Sequence, residues 1–412
     1  MIKLRRERKW LFIIAIVFSV IVGVGIMWRT KSSISNPHVM TNEDRITDED
    51  MPRDIVEKTK KYNALRKNIA TTDLGRVRAN PGRMFFLDFV SRGLTSVPAE
   101  ISKLTNVVGL NLGDNKLTSI PPGLGALSNL EALYIYTNKI TELPADLGSL
   151  SHLALLEAGE NQLTSLPDEF SQLQQLYLLE LPKNNLSVFP PVVTKLKGLE
   201  ILGLSINKLT TIPEDIDNLT NLKFLDVQKN QLETFPSPLT KLSSLLFLAI
   251  SDNTISAIPP EIGALTKLVG LNVSNNYLSN LPTQMATLKN LQLLDLRQNR
   301  FSIFPSPVLG LKNLRKLFVG ENQLTSIPPQ IGSLFQLEVL RLNNNQLTQL
   351  PEEIGLLSKL KFLDISYNNL TSLPMSIGNL THLSHLRLKG NAINSENLLR
   401  LKKFFPQATI EL

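Results

Sequence analysis

Apolar residues recur along most of the chain with a fixed period of 23 positions. The period runs without insertion through thirteen consecutive units, from residue 84 to residue 382. Each unit follows L-x-x-L-x-L-x-x-N-x-L-x-x-L-P-x-x-I-x-x-L-x-x, which residues 337–359 show as LEVLRLNNNQLTQLPEEIGLLSK. We number these units repeats 1 to 13 and their positions 1 to 23. Such a period predicts one stack of identical supersecondary units instead of several globular domains.

The spacing inside one unit predicts a strand, a turn and a short helical segment. Leu110 and Leu112 alternate with polar or small residues, which is the period of a strand with one buried face. Stacking the same strand in the same direction gives a parallel sheet. Asn at position 9, from Asn115 to Asn391, is predicted to pair with backbone groups of adjacent turns, and Pro at position 15 is predicted to start a helical or 3-10 turn.

Departures from the pattern mark both ends of the array. Apolar side chains recur at helical spacing between Pro52 and Ile69, and residues 52–83 are predicted to form a helical N-terminal cap. Residues 383–412 are predicted to form a terminal repeat, numbered 14, and a C-terminal cap. Within that cap we expect an amphipathic helix from Glu396 to Phe404, with Ser395 as its N-cap, and a last strand near residues 409–412.

This pattern resembles the leucine-rich repeat family, and within it the 23-residue class with a Leu-Pro step that occurs in bacterial surface proteins and Ras-suppressor-like proteins. The resemblance covers residues 84–412. It implies an α/β solenoid, a horseshoe with a parallel concave β-sheet and short helical or 3-10 turns on the convex side. It also implies a protein-binding role, without identifying the partner.

The N-terminus carries a predicted membrane anchor. Residues 10–28 read WLFIIAIVFSVIVGVGIMW, an uncharged stretch long enough to span a bilayer, with tryptophans at both ends. The preceding residues 1–9 hold five cations and are predicted to be a cytoplasmic tail, which places the repeats outside. Residues 29–51 are predicted to be a polar stalk. The alternative is a cleaved signal peptide, which would make the protein a secreted, soluble effector or signalling scaffold.

Composition excludes several other classes of protein. The net charge of +7 arises almost entirely in the first 31 residues, and the remainder holds nearly equal numbers of basic and acidic side chains. Bulk charge therefore gives no support for nucleic-acid binding. The chain has no cysteine, which excludes disulfides, thiolate metal sites and the cysteine-rich caps of animal extracellular repeats. This favours a bacterial envelope protein.

Outward-pointing residues at positions 3, 5, 7 and 8 form the concave face, where a partner is predicted to bind. Tyr134 and Tyr136 share one strand and are the predicted anchor, because exposed aromatic residues supply contact area at low entropic cost. Along this face the early repeats are acidic and aromatic and the later ones become basic. The predicted partner-binding residues are Tyr134, Tyr136, Glu157, Glu160, Glu180, Phe224, Asp226, Phe247, Arg297, Lys316, Phe318 and Arg341.

Residues suited to catalysis are scarce. His382 and His385 have H-x-x-H spacing, but neither a cysteine nor a nearby acidic residue completes a metal site, and there is no Gly-rich phosphate loop. The sequence therefore predicts neither an enzyme nor a bound cofactor or metal. It predicts a membrane-anchored, outward-facing binding protein whose concave face recognises a protein or glycan partner.

Overall fold

The computed structural model describes residues 57, 58, 60, 61, 64, 67 and 69–412. The predicted cytoplasmic tail (1–9), transmembrane segment (10–28) and stalk (29–51) lie outside the described residues. Among the residues described, no helix has both the length and the apolar character needed to cross a bilayer. The chain divides into two compact units, of which unit 1 ends at Asn207 and unit 2 begins at Lys208.

Unit 1 contains a parallel sheet whose strands follow chain order, each hydrogen-bonded to the next. The strands are β1 (Ala70–Thr71), β2 (Phe85–Asp88), β3 (Val107–Asn111), β4 (Ala132–Tyr134), β5 (Leu155–Glu157), β6 (Leu178–Glu180) and β7 (Ile201–Gly203). Helix α1 (Leu74–Arg78) separates β1 from β2. The 3-10 turns are Ala99–Lys103, Leu124–Ala126, Ala145–Ser149, Asp168–Gln172 and Pro191–Lys195.

Unit 2 has the same arrangement, with parallel strands that follow chain order, each hydrogen-bonded to the next. Its strands are β8 (Phe224–Asp226), β9 (Phe247–Ala249), β10 (Gly270–Asn272), β11 (Leu293–Asp295), β12 (Lys316–Phe318), β13 (Val339–Arg341), β14 (Phe362–Asp364), β15 (His385–Arg387) and β16 (Thr409–Glu411). Its 3-10 turns are Glu214–Asn218, Ser237–Lys241, Pro260–Ala264, Thr283–Thr287, Ser306–Gly310, Pro329–Ser333, Glu352–Leu356 and Met375–Asn379, and helix α2 spans Ser395–Phe404.

The predicted α/β solenoid is confirmed in both units. Strands 23 residues apart pair in register, as Leu133 does with Leu156, and both of these leucines are fully buried. Pro144 precedes the 3-10 turn Ala145–Ser149, as the Leu-Pro step predicts. One detail of the C-terminal cap was wrong: the N-cap of α2 is Asn394, whose side chain accepts a hydrogen bond from the Asn397 amide, and not Ser395.

The asparagines at position 9 link consecutive repeats, and their predicted structural role is confirmed. The Nδ2 of Asn138 donates to the carbonyl oxygens of Ile135 and Tyr136 at 3.1 Å, and to that of Leu112, one repeat earlier, at 3.0 Å. Its Oδ1 accepts a hydrogen bond from the Leu117 amide at 2.9 Å. Each such amide therefore pairs backbone groups that would otherwise be buried without partners.

Position 8 of every repeat adopts a left-handed backbone conformation, which the sequence did not predict. Ile206, a β-branched residue that disfavours this region, has φ of 55°. Next to Ile206, the Asn207 side chain donates to the carbonyl oxygens of Leu204 and Ser205 and so stabilises the turn against this local cost. The non-glycine residues concerned are Ser91, Asp114, Thr137, Glu160, Lys183, Ile206, Lys229, Asp252, Asn275, Gln298, Glu321, Asn344 and Tyr367, each with φ between 48° and 56°.

The described residues before β1 are helical and contact the start of several unit 1 strands. Lys61 Nζ lies 2.7 Å from Glu131 Oε2, and Lys58 Nζ forms an ion pair with Glu200. Lys58 Nζ also lies 5.0 Å from the ring centroid of Tyr177. Because all three contacted residues occupy position 2, this segment lies along the edge where the strands of unit 1 begin.

Candidate functional site

An aromatic cluster covers repeat 2 on the concave face of unit 1. Tyr134 and Tyr136 point to the same sheet face and are both half-buried. Repeat 2 has glycines on this face: a Cβ at Gly113 would lie 2.6 Å from Cε2 of Tyr136, and one at Gly109 would lie 2.5 Å from Cε2 of Phe86. The Tyr136 ring is thus held against Gly113, and the Tyr134 ring lies 6.1 Å from the Phe86 ring that fills the space over Gly109. Both tyrosines keep part of their surface open, as a preorganised binding anchor requires.

Carboxylates lie directly beside these tyrosines. Glu157 on β5 pairs in register with Tyr134 on β4 and with Glu180 on β6. Glu157 is 6% exposed and Glu180 is half-buried. Glu160, in the turn after β5, is exposed and accepts a hydrogen bond from Lys183 Nζ at 3.0 Å. The predicted tyrosines and acidic residues of unit 1 therefore occupy one continuous part of the concave face.

In unit 2, the predicted residues of repeats 7 and 8 pack mainly on one another. The rings of Phe224 and Phe247 stack with centroids 5.0 Å apart and planes 8° from parallel, and both side chains are buried. Gly270 leaves room for the Phe247 ring, since a Cβ there would lie 2.5 Å from Cδ1. The Asp226 carboxylate is buried and accepts hydrogen bonds from the Gln228 amide and side chain. These residues chiefly support the face.

Arginine and phenylalanine side chains alternate along the concave face of repeats 10 to 14. The guanidinium Cζ of Arg297 lies 5.1 Å from the Phe318 ring centroid. Arg341 lies between Phe318 and Phe362, at 5.9 and 4.9 Å from their centroids, and Arg387 lies 5.1 Å from Phe362. This cation–π stack covers the ring faces and buries Arg341.

Acidic side chains within the stack offset much of its positive charge. Arg297 Nε donates to both carboxylate oxygens of the fully buried Asp295 at 3.0 Å. Arg387 lies 3.8 Å from Asp364 Oδ2 and 2.9 Å from Glu411 Oε2. Sequence reasoning identified Arg297 and Arg341 in these repeats but missed the acidic residues that pair with Arg297 and Arg387.

Among the remaining residues of repeats 11 to 14, Lys316 is half-buried on β12, and Lys389 Nζ lies 6.0 Å from the Tyr367 ring centroid. Sequence reasoning also missed Phe362, which completes the stack. The available signal for Phe362, Asp295 and Asp364 is their placement at positions 3 and 5 of their repeats, where side chains reach the concave face.

The two histidines of the H-x-x-H spacing make separate contacts. His382 Nδ1 lies 2.8 Å from the Ser358 carbonyl oxygen, whereas the His385 ring stacks on Phe362 with centroids 5.8 Å apart. Within the part of the chain that the structure describes, no group of three or more histidine, aspartate or glutamate side chains could hold a metal ion.

Family models match most of the repeat array. A model described as a leucine-rich repeat region matches residues 322–404, a leucine rich repeat model matches residues 174–232 and 243–301, and a model of two leucine rich repeat copies matches residues 87–150. None of the curated proteins matches the chain.

Solved structures from bacteria and plants share this architecture. A leucine-rich repeat protein of Leptospira interrogans is 32% identical with a TM-score of 0.70, and the alignment covers 84% of this chain and all of that one. An internalin of Listeria monocytogenes is 31% identical with a TM-score of 0.66, covering 78% and 91% of the two chains. The ectodomain of the Arabidopsis thaliana membrane receptor kinase GASSHO1/SCHENGEN3, solved in complex with CASPARIAN STRIP INTEGRITY FACTOR 2, is 31% identical with a TM-score of 0.62, covering 75% and 39%.

Proposed function

Because the chain belongs to the leucine-rich repeat family, we propose that it is a membrane-anchored, outward-facing binding protein that recognises a protein partner on its concave face. The observation that carries this proposal is the state of Tyr134 and Tyr136. The Tyr136 ring packs on Gly113 and the Tyr134 ring lies beside Phe86, both side chains keep accessible surface, and Tyr134 pairs in register with Glu157. Fixed aromatic side chains of this kind supply much of the binding energy in protein interfaces.

The predicted partner-binding residues divide into two groups under this proposal. Those that keep exposed surface contact the partner directly, namely Tyr134, Tyr136, Glu160, Glu180, Arg297 and Lys316. Those that are buried hold the surface in shape, namely Glu157, Phe224, Asp226, Phe247, Phe318 and Arg341. A rigid surface costs less conformational entropy on binding, so both groups contribute to affinity.

The membrane anchor rests on the sequence of residues 10–28 and on the cations that precede it. The likeness to the ectodomain of a plant membrane receptor kinase supports an outward orientation. The described concave face consists of aromatic and charged side chains, and the described residues contain no cluster of potential metal ligands. Such a surface fits binding better than catalysis.

Site-specific photocrosslinking tests the binding proposal. A photoreactive residue is placed at Glu160, which is exposed on the concave face, or at the control position Met375, which is exposed on a 3-10 turn. The proposal predicts a discrete crosslinked protein from position 160 in intact cells and none from position 375. Crosslinks from position 375 alone would place the contact elsewhere and overturn the proposal.

Cell fractionation tests the anchor separately. A full-length protein that resists alkaline extraction from membranes, and whose repeats are digested by protease added outside intact cells, supports the proposal. A soluble product shortened by about thirty residues supports the secreted alternative, because a cleaved signal peptide has about that length.

A further inference from the structure

The concave face of unit 1 carries an excess of negative charge. Its repeats 1 to 5 place five carboxylates at positions 5 and 8: Asp88, Asp114, Glu157, Glu160 and Glu180. The only basic residue at a concave position of these repeats is Lys183, which already pairs with Glu160 at 3.0 Å. This local charge differs from that of repeats 10 to 14, where Arg297 and Arg387 pair with the buried Asp295 and Asp364.

Two of the carboxylates are adjacent and partly desolvated. Glu157 and Glu180 face each other in register on neighbouring parallel strands, and Glu157 is 6% exposed. Like charges in facing positions repel, and burial adds the cost of removing a charge from water. A cation placed above this pair reduces both costs, because it attracts the two carboxylates at once.

The side of Glu157 away from Glu180 is aromatic. Tyr134 occupies the facing position on β4, with its ring centroid 6.1 Å from that of Phe86, and Tyr136 lies two residues further on. Aromatic faces attract ammonium and guanidinium groups. A lysine or arginine side chain can therefore lie along these rings with its apolar stem and end at a carboxylate.

We propose that repeats 3 to 5 bind a basic, extended segment of a protein partner, with lysine or arginine side chains seated between the two tyrosines and the Glu157–Glu180 pair. This inference rests on the proposed function and deepens it by assigning the chemistry of the partner. Strands in a sheet are about 4.8 Å apart, so β4 to β6 span roughly 10 Å. About three residues of extended chain cover that length. Two cationic side chains separated by about this distance therefore match the surface.

Fluorescence anisotropy with fixed peptide probes tests the proposal on the full chain in a non-ionic detergent. The probes are twelve-residue peptides that alternate Thr with Lys, Gln or Glu. We expect the Lys peptide to bind about tenfold or more tightly than the Gln peptide, which corresponds to about 1.4 kcal/mol. The Glu peptide is expected not to bind. The difference should diminish at higher salt, because screening weakens exposed charge interactions.

Charge-neutralising variants identify the residues that cause the preference for the Lys peptide. Glu157→Gln with Glu180→Gln should remove most of the preference for the Lys peptide. Glu142→Gln with Glu169→Gln changes net charge equally at exposed positions outside the concave face and should leave the preference intact. Equal affinity of wild type for the Lys and Gln peptides, or equal losses in both double variants, overturns the proposal. If crosslinking from Glu160 still succeeds in that case, the concave face remains a binding site and only the basic character of the partner is wrong.

Discussion

The ring of Tyr136 lies against Gly113 of the preceding repeat, at a distance that leaves no room for a Cβ. A Cβ at residue 113 would come within 2.6 Å of Cε2 and 2.7 Å of Cε1 of that ring. The small residue in one repeat thus determines how the aromatic residue of the next is held. The predicted anchor is consequently a property of two repeats together.

Substitution of Gly113 should therefore disturb the anchor. Gly113→Ala is expected to displace the Tyr136 ring and to lower the free energy of unfolding by about 1–3 kcal/mol, the usual cost of overpacking. Urea denaturation and tyrosine fluorescence measure the two effects. Gly82→Ala is the matched control, because a Cβ there meets nothing within 4 Å and the change should stay within about 0.5 kcal/mol. Equal effects of the two substitutions would contradict the packing described here.

Loss of one position-9 asparagine should weaken the stack. Asn230 Oδ1 accepts a hydrogen bond from the Leu209 amide at 3.0 Å, and its Nδ2 donates to the Val227 carbonyl at 3.0 Å. Asn230→Leu leaves these backbone groups without that partner and should cost about 1–3 kcal/mol of stability in urea unfolding. Asn290→Leu, at an exposed position where water replaces the lost bond, should cost less than about 1 kcal/mol. A neutral result for Asn230→Leu would contradict the assigned role.

The ion pair between Arg297 and Asp295 should contribute far more to the free energy of unfolding than an exposed ion pair does. Asp295 is fully buried, so Arg297→Ala leaves its carboxylate without the main compensating charge and should cost about 3 kcal/mol or more. Lys183→Ala removes the exposed Lys183–Glu160 pair and should cost less than about 1 kcal/mol. Chemical denaturation of both variants decides the comparison, and similar losses would argue against a structural role for the Arg297 pair.

Acid should weaken the ion-pair network of Glu338, Arg315 and Lys361, which lies at the edge where the strands of unit 2 begin. Burial raises the pKa of Glu338. The hydrogen bonds from Arg315 and Lys361, together with the positive charges of these residues, lower the pKa by more than burial raises it, so the pKa lies below its ordinary value of 4.5. A lowered pKa in the folded state contributes stability that is complete above the unfolded pKa and is lost as the pH falls through the folded pKa.

The expected advantage of wild type over Glu338→Gln is therefore present at pH 7 and disappears as the pH falls below 4.5 through the folded pKa. Because the ion pairs of Glu338 with Arg315 and Lys361 are partly exposed, the difference in unfolding free energy between the two proteins should stay under about 1 kcal/mol. Urea unfolding of both proteins at a series of pH values measures it. A difference that grows as the pH falls would contradict the lowered pKa.

The sequence predicted the architecture because its signal is repeated thirteen times. A single alternation such as Leu110 and Leu112 is weak, but the same alternation at a constant period leaves few arrangements that bury every leucine. The left-handed turns were not predictable from local preference, since Ile206 and Thr137 disfavour that conformation. At Thr137 the turn is held instead by its surroundings: the Asn138 side chain donates to the carbonyl oxygens of Ile135 and Tyr136, and the Thr137 amide donates to the Gly159 carbonyl of the next repeat.

The concave face was predicted less completely than the fold. The position of a residue in the repeat determines whether its side chain points outward, but the contacts of that side chain depend on residues in the neighbouring repeats. Phe224 and Phe247 occupy outward positions, yet they bury one another. Arg341 is covered by the rings of Phe318 and Phe362. Tyr134 and Tyr136, by contrast, combine packed rings with accessible surface, the first beside Phe86 and the second against Gly113.

The most direct test is the affinity of the crosslinked partner for wild type and for the Tyr134→Ala, Tyr136→Ala double variant, with Tyr277→Ala as control. Tyr277 is 45% exposed but lies at position 10, outside the concave face. We predict that the double variant loses more than about 2 kcal/mol of binding free energy while it remains folded, and that the control binds as wild type does. Unchanged affinity of the double variant would contradict the assignment of this face as the binding site.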